Sequence, residues 1–212
     1  MAGVKGVFIT GTDTDVGKTV VSAWLLRYFW ADYWKPIQAG CEPETDTETL
    51  QRLSRLPADH FHPSTYTLNA PLSPHEAARQ EGITLALSDF SLPVTHRPLI
   101  IEGAGGLLVP LNDMAFMVDL MVQIAFPLVL VARSRLGTIN HTLMSLEVMR
   151  SRGLQVAGVI LTGPLNPANC AAIRTYGGVP IVAQIPWLDP LSGESLARIA
   201  PENGDILETL LA

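Results

Sequence analysis

The chain has little cysteine. Cys41 and Cys170 are the only two in 212 residues, far apart and in no metal-ligand or redox spacing. This excludes a disulfide framework and a thiolate metal site, and leaves two reduced bystanders. Positive charge is also scarce: 14 Lys and Arg stand against 20 Asp and Glu, for a net charge of −6, and the basic residues form no cluster. The electrostatic footprint that nucleic acid or an anionic membrane surface requires is therefore missing. Long apolar runs are absent too. The most apolar stretch, from Ile124 to Ala132, is too short to span a bilayer and contains Pro127, and the opening residues lack an apolar core of signal-peptide length. A cytoplasmic protein with small-molecule partners is expected, with no nucleic acid and no membrane. No repeat, linker or low-complexity segment interrupts the chain. Its composition, 48% hydrophobic and 16% charged, suits a large core and a single domain over residues 1–212.

Short apolar, β-branched runs alternate with amphipathic stretches. The runs are apolar at every position, as expected for strands buried on both faces of a parallel sheet. Strands are predicted near Gly6–Thr10, Tyr33–Pro36, Leu99–Glu102, Leu128–Val131, Val156–Leu161 and Ile181–Ala183. Helices are predicted over Val20–Phe29, Asp46–Leu56, Met117–Ala125, Thr138–Arg152 and Asn166–Tyr176. This order is α/β: a doubly wound, mostly parallel sheet with helices on both faces, whose ligands sit beyond the carboxyl ends of the strands. The Pro-rich interval from Glu42 to Pro98 shows no central strand and is expected to hold two or three short helices covering an edge and a substrate pocket.

The most informative strand end is the first. Val7-Phe8-Ile9 runs into Gly11-Thr12-Asp13-Thr14-Asp15-Val16-Gly17-Lys18-Thr19 and then into the helical Val20-Val21-Ser22-Ala23. A strand, a glycine-bounded loop and a helix opening with Lys-Thr form a phosphate cradle. Backbone N–H groups and the positive helix end point at phosphate oxygens, Lys18 reaches the β/γ-phosphates and Thr19 offers its hydroxyl to Mg²⁺. The first glycine stands at Gly11, one residue earlier than the strict spacing requires, with Thr12 in its usual place. A P-loop NTPase fold and a nucleoside triphosphate are expected.

Two further strand ends carry chemistry. Leu99-Ile100-Ile101-Glu102-Gly103-Ala104-Gly105-Gly106 closes an apolar strand with an acid and then glycines, which suits a Mg²⁺-facing carboxylate beside a loop that approaches phosphate. Trp34-Lys35-Pro36-Ile37-Gln38-Ala39-Gly40 places a second lysine near the transferring phosphoryl group, where positive charge stabilises a loose transition state. Read alone, Lys35 is equally a snorkelling surface lysine.

Together these segments, with Leu136-Gly137-Thr138-Ile139-Asn140-His141-Thr142-Leu143 and Ile185-Pro186-Trp187-Leu188, stand in the order and near the spacing of dethiobiotin synthetase. The chain resembles that family over essentially its whole length, and the Asp13-Thr14-Asp15 loop core is specific to it among P-loop ATPases. The resemblance implies a ligase of biotin synthesis that converts 7,8-diaminopelargonic acid, CO₂ (or bicarbonate) and Mg-ATP into dethiobiotin, ADP and phosphate. It implies catalytic roles for Lys18, Lys35 and Thr14, and Mg²⁺ ligation by Thr19, Asp46 and Glu102. For Asp46 an N-cap role is equally compatible. ATP contacts are implied for Asp15, Val16, Gly17, Lys18, Thr19, Val20, Asp46, Glu102, Gly103, Ala104 and Gly105, and around the base for Thr162, Gly163, Pro186, Trp187 and Leu188. Substrate contacts are implied for Thr12, Lys35, Gln38, Ala39, Ser73 and the helix start Gly137, Thr138, Ile139 and Asn140. In the family that start receives the substrate carboxylate across a two-fold interface, so a homodimer is expected.

Two positions depart from the family. Ala39 replaces a Ser or Thr, removing a hydroxyl. Thr162 replaces an Asn commonly presented to the base, leaving a hydroxyl where an amide offers both donor and acceptor. A nucleotide-switched scaffold ATPase of the same branch is the alternative reading; such proteins carry a second lysine where this chain has Asp13. Other features read as structural. His60-x-His62 has no third ligand nearby in sequence, and the Phe116, Met117, Leu120, Met121, Ile124 stripe reads as core. Asp119 and Arg133 remain open between interface and site.

Overall fold

In the computed structural model, which describes residues 4–212, seven strands form one parallel sheet with the phosphate-loop strand at its centre. The strands are β1 (Gly6–Gly11), β2 (Asp32–Trp34), β3 (Ile37–Ala39), β4 (Phe61–His62), β5 (Tyr66–Leu68), β6 (Leu99–Gly106), β7 (Leu128–Arg133), β8 (Val156–Thr162) and β9 (Ile181–Ile185). The helices are α1 (Lys18–Phe29), α2 (Asp46–Ser54), α3 (Pro74–Gln80), α4 (Met117–Ile124), α5 (Thr138–Ser151), α6 (Pro167–Gly177), α7 (Gly193–Leu196) and α8 (Gly204–Leu211). The main sheet runs in the spatial order β4, β2, β6, β1, β7, β8, β9, while β3 and β5 form a separate two-stranded sheet. All strand pairings in both sheets are parallel.

Alternation along the strands feeds two cores. Val7, Ile9, Ile100, Val129 and Val131 face one side, where α1, α2, α7 and α8 contribute Trp24, Leu50, Leu53, Leu196 and Leu207. Phe8, Leu99, Ile101, Leu128 and Leu130 face the other, covered by α3 to α6 with Ala77, Leu120, Met121, Leu146 and Ile173. Each large side chain removed from water in this way contributes roughly 1.5–3 kcal/mol. Burial on both faces is why these strands lack a polar alternation.

The structure moves several predicted boundaries. The second strand stops at Trp34 because Pro36 has no N–H to donate and restricts Lys35 before it, which leaves Lys35 free of the ladder. The sixth strand continues through its glycines to Gly106, which pairs with Gly11. The interval from Glu42 to Pro98 holds no central strand, as expected, but it supplies two short ones: β4, the sheet edge beside β2, and β5, the partner of β3. Segments of two or three residues are too short to show a period. The N-cap of α2 is Thr45, not Asp46. Thr45 forms a reciprocal capping box with Glu48, and Asp46 is the first helical residue. Phe116 leaves the apolar stripe: it precedes α4 and is 38% exposed, whereas Met117, Leu120 and Met121 are buried. The Asp119 carboxylate accepts from the Phe116 N–H at 2.8 Å and pairs with Arg152, a structural role.

Candidate active site

The functional segments all lie at the carboxyl ends of the strands. Gly11 starts the phosphate loop where no side chain fits: a Cβ there would stand 2.7 Å from Val16 Cγ2 and 2.8 Å from the Asp13 carbonyl. The loop then turns through left-handed conformations at Asp15 (φ 55°) and Gly17 (φ 93°), which Asp tolerates better than most residues and Gly adopts freely. Lys18 folds back and donates to the Asp13 carbonyl at 3.1 Å. The Asp13 carboxylate accepts from the Thr14 N–H and from Arg133, both at 2.8 Å. Arg133 thus braces the loop from the end of β7. The Thr12 N–H donates to the Val131 carbonyl at 3.0 Å, so this backbone donor is engaged inside the fold and only the Thr12 side chain is left to face a ligand.

Behind the loop, four side chains from separate segments meet. The Thr19 hydroxyl lies 2.7 Å from Asp46 Oδ1 and 3.0 Å from Glu102 Oε1. Lys35 Nζ lies 2.6 Å from Asp46 Oδ2 and 3.1 Å from Glu102 Oε1. Lys35 is buried rather than snorkelling. Burial disfavours its charge, but Glu102 and Asp46 outweigh that and raise its pKa. Burial also pushes the Asp46 carboxyl upward, and Lys35 with the Thr19 hydrogen bond brings it below the usual range. Lys18 behaves differently: burial lowers its pKa, opposed by Glu102 and reinforced by Lys35. Two hydroxyls missed in the sequence complete the Glu102 environment, Ser22 at 2.7 Å and Tyr33 at 3.2 Å from Oε2. Ser22 was visible in principle, since it follows Thr19 by three residues on one helix face.

Thr19, Asp46 and Glu102 offer hard oxygen donors, and the ammonium lodged between the two carboxylates shows that their field favours a cation. The set suits Mg²⁺, which uses one or two carboxylates and keeps its other positions for phosphate and water. Alongside it, Gly103, Ala104 and Gly105 continue β6 past Glu102 toward the loop. A Cβ on Gly105 would lie 3.7 Å from Thr14 Oγ1, and one on Gly106 would lie 3.3 Å from the Gly11 carbonyl.

An open pocket adjoins the loop, lined by Asp15, Val16, Gly17 and Val20 together with Thr162, Gly163, Pro186, Trp187 and Leu188. It brings together the residues expected around ATP's base. Arg135 and Leu191 also line it, neither of them anticipated, and Arg135 stacks over the Trp187 ring 5.6 Å from its centroid.

Substrate-side residues divide into two groups. Gln38 is buried, and its Nε2 donates to the Gly40 carbonyl at 2.7 Å while Oε1 has no partner. Beside it, α3 packs on β3 and β5. Ser73, exposed at the N-cap of α3 and making no capping bond, thus stands on the helix that packs against the strand of Gln38 and Ala39. The second group, Gly137, Thr138, Ile139 and Asn140, opens α5 after β7. From β2 to β7 the order is β2, β6, β1, β7, a separation of roughly 14 Å at about 4.8 Å per strand. Within one protomer these residues do not join the Lys35 cluster.

His60 and His62 gain the neighbour that the sequence did not reveal. Asp32 Oδ1 and Oδ2 lie 3.2 and 3.1 Å from the two rings, with Arg97 on the same carboxylate at 3.0 Å. The cluster ties β4 to β2. Among the described residues no group of three such side chains is arranged to hold a metal.

Comparison with known proteins agrees with this geometry. A family described as an AAA domain matches residues 5–195. The ATP-dependent dethiobiotin synthetase BioD of Paramagnetospirillum magneticum is 54% identical over 93% of this chain and 96% of its own. The biotin biosynthesis bifunctional protein BioCD of Bordetella avium is 49% identical over 91% of this chain and 42% of its own. Among solved structures, a ParA family ATPase from Chlorobium tepidum superposes with a TM-score of 0.53 at 12% identity, over 98% of this chain and 92% of that one, a likeness of fold alone. With a relative this similar over nearly its full length, the chain belongs to the dethiobiotin synthetase family.

Proposed function

We propose that the chain carries out its family's reaction in a site built from Lys18, Thr19, Lys35, Asp46 and Glu102, as one P-loop unit. One amine of 7,8-diaminopelargonic acid takes up CO₂ as a carbamate. A carbamate oxygen attacks the γ-phosphorus of ATP, the bond to the bridging oxygen breaks, and ADP leaves. The second amine then attacks the carbamoyl carbon, phosphate departs with the bonding pair, and loss of a proton leaves the cyclic urea. Bound Mg²⁺, held by Thr19, Asp46 and Glu102, neutralises phosphate charge. Lys18, released from the Asp13 carbonyl, pairs with the β/γ-phosphates, and Lys35 sets a fixed positive charge beside the transferring group. Thr14 and the adjoining Gly105 line the loop side, while Thr12, Gln38, Ala39 and Ser73 border the diamine, with the Gln38 carbonyl oxygen available to accept from an amine. Positioning and charge stabilisation suffice, and no protein nucleophile is needed.

The observation that carries this reading is the meeting of Lys35 with both carboxylates at 2.6 and 3.1 Å, because no packing requirement draws these charges together at a strand end. The proposal includes a homodimer in which Gly137, Thr138, Ile139 and Asn140 bind the substrate carboxylate of the other protomer; the exposed Leu136, in the turn before α5, and the exposed Met144, on α5, support it. A cytoplasmic location and small-molecule partners alone also belong to it; no described helix is long and apolar enough to cross a membrane. Incubation with 7,8-diaminopelargonic acid, bicarbonate, Mg²⁺ and ATP is expected to yield dethiobiotin by mass spectrometry, and Lys35→Ala to abolish it. Nucleotide binding without product from the wild-type chain would overturn the proposal.

A further inference from the structure

At the floor of the base pocket, the polar groups of Thr162 and the Gly163 N–H are engaged within the fold. Thr162, at the end of β8, donates its hydroxyl to the Val16 carbonyl inside the phosphate loop at 2.7 Å. Its methyl group turns toward Gly17, where a Cβ would lie 3.0 Å from Thr162 Cγ2. The Thr162 carbonyl accepts from the Ser134 N–H at 2.8 Å, and the Gly163 N–H donates to the Ile185 carbonyl at 2.9 Å. Arg133 is paired with Asp13 at 2.8 Å, and the Arg135 guanidinium lies over the Trp187 ring. The remaining lining is mainly Val16, Val20, Ile185, Pro186, Leu188 and Leu191.

We infer that this chain reads no base edge through Thr162: the residue braces the phosphate loop, and the pocket accepts purine and pyrimidine nucleoside triphosphates alike. Bases differ in the donors and acceptors on their edges, and a site discriminates by about 10⁴–10⁵-fold only when it pairs with those groups; apolar contact discriminates by roughly 10²-fold or less. Apolar and stacking contact is common to all bases. Thr162 is therefore a positioning residue. Its hydroxyl fixes the Val16 carbonyl and, through it, the turn at Gly17 that presents N–H groups to phosphate.

This inference rests on the pocket being the nucleotide site of the proposed reaction. The test compares kcat/KM for ATP, GTP, CTP and UTP in dethiobiotin formation, and in parallel the Kd of AMP-PNP and GMP-PNP by calorimetry. Expected are values within about 100-fold of one another; an ATP preference above about 100-fold overturns the inference. Thr162→Val separates brace from reader. As a brace, its loss raises the KM of all four triphosphates by one common factor, about 2- to 10-fold, leaves the KM for the diamine unchanged, and is reversed in Thr162→Ser. A rise confined to ATP refutes it. If no triphosphate gives product, the proposed reaction fails, while the two analogue affinities still decide the base inference.

Discussion

Replacing Lys35 by Met tests the charge cluster at its centre. The substitution keeps the length of the stem and removes the ammonium that stands 3.1 Å from Glu102 and 2.6 Å from Asp46. Glu102 is 1% exposed. Taking one partner from a buried ion pair costs about 3–5 kcal/mol, because the remaining charge is left in a low dielectric. Three hydroxyls, from Thr19, Ser22 and Tyr33, still donate to Glu102, so the lower figure, about 3 kcal/mol, applies. The Asp46 arm adds little, its side chain being 34% exposed and screened by water. For 212 residues, an unfolding entropy of about 2.1 cal/mol/K per residue converts 1 kcal/mol into roughly 2 °C, so Tm should fall by about 7 °C. The variant also frees both carboxylates for a cation. Mg²⁺ at about 100 times its Kd returns about 2.7 kcal/mol, and its stabilisation should exceed that of the wild-type chain, where the ammonium competes. Lys35→Met/Glu102→Gln should recover much of the lost stability without Mg²⁺. Calorimetric melts of the three proteins, with and without Mg²⁺, measure all of this. A Tm for Lys35→Met within about 2 °C of wild type, with no added response to Mg²⁺, would refute the buried-pair account.

Gly11→Ala forces a methyl into contact with the Asp13 carbonyl and Val16; calorimetry should show triphosphate affinity falling at least tenfold while the fold persists in circular dichroism. Thr45→Ala removes the capping box of α2 and should cost about 1 kcal/mol, a drop of roughly 2 °C in a thermal melt, with a loss of Mg²⁺ response because Asp46 opens that helix. The folded Asp46 carboxyl lies below its ordinary value, so its stabilisation is present above about pH 3.9 and disappears as pH falls through the lower folded value. An acid titration of Lys35→Met, which lacks the cause of that depression, should lose stability at higher pH than wild type. The Lys18 pKa is lowered as well, which for a lysine means that the charged form is disfavoured in the free protein. Triphosphate Kd measured against pH should weaken below the pH at which an ordinary lysine deprotonates, and a Lys18→Arg variant should not share that limb.

Much of this was legible because the chemistry sits at the ends of apolar strands. Gly11, Gly17, Lys18 and Thr19 follow β1 in one continuous segment, and Glu102 announces itself as an acid closing an otherwise apolar run. Lys35 was legible as a strand-end lysine but not as buried, since burial depends on the carboxylates that surround it. Tyr33 was silent for a related reason: it reaches Glu102 only because β2 lies beside β6, with Tyr33 opposite Ile100, a register no local pattern encodes. The short β4 and β5 hid below any detectable period, and with them the Asp32 cluster that joins His60 and His62. For Thr162 the residue type revealed a departure from the family, whereas the direction of its hydroxyl, toward Val16 rather than toward a base, is a property of tertiary packing alone.

The central position of β1 also bears on how the protein is made. Its two neighbours are β6 and β7, around residues 99–106 and 128–133, so this strand is completed only by segments made long after it. A nascent chain that has emerged only as far as Pro98 carries an apolar strand with both edges unpaired, and one that ends before Leu128 still carries one open edge. Such edges recruit other strands. Nucleotide cannot assist at that stage, because the loop proposed to bind it is anchored through the Val131 carbonyl and Arg133. In the proposed site, therefore, a nucleotide stabilises the fold only after β7 has docked.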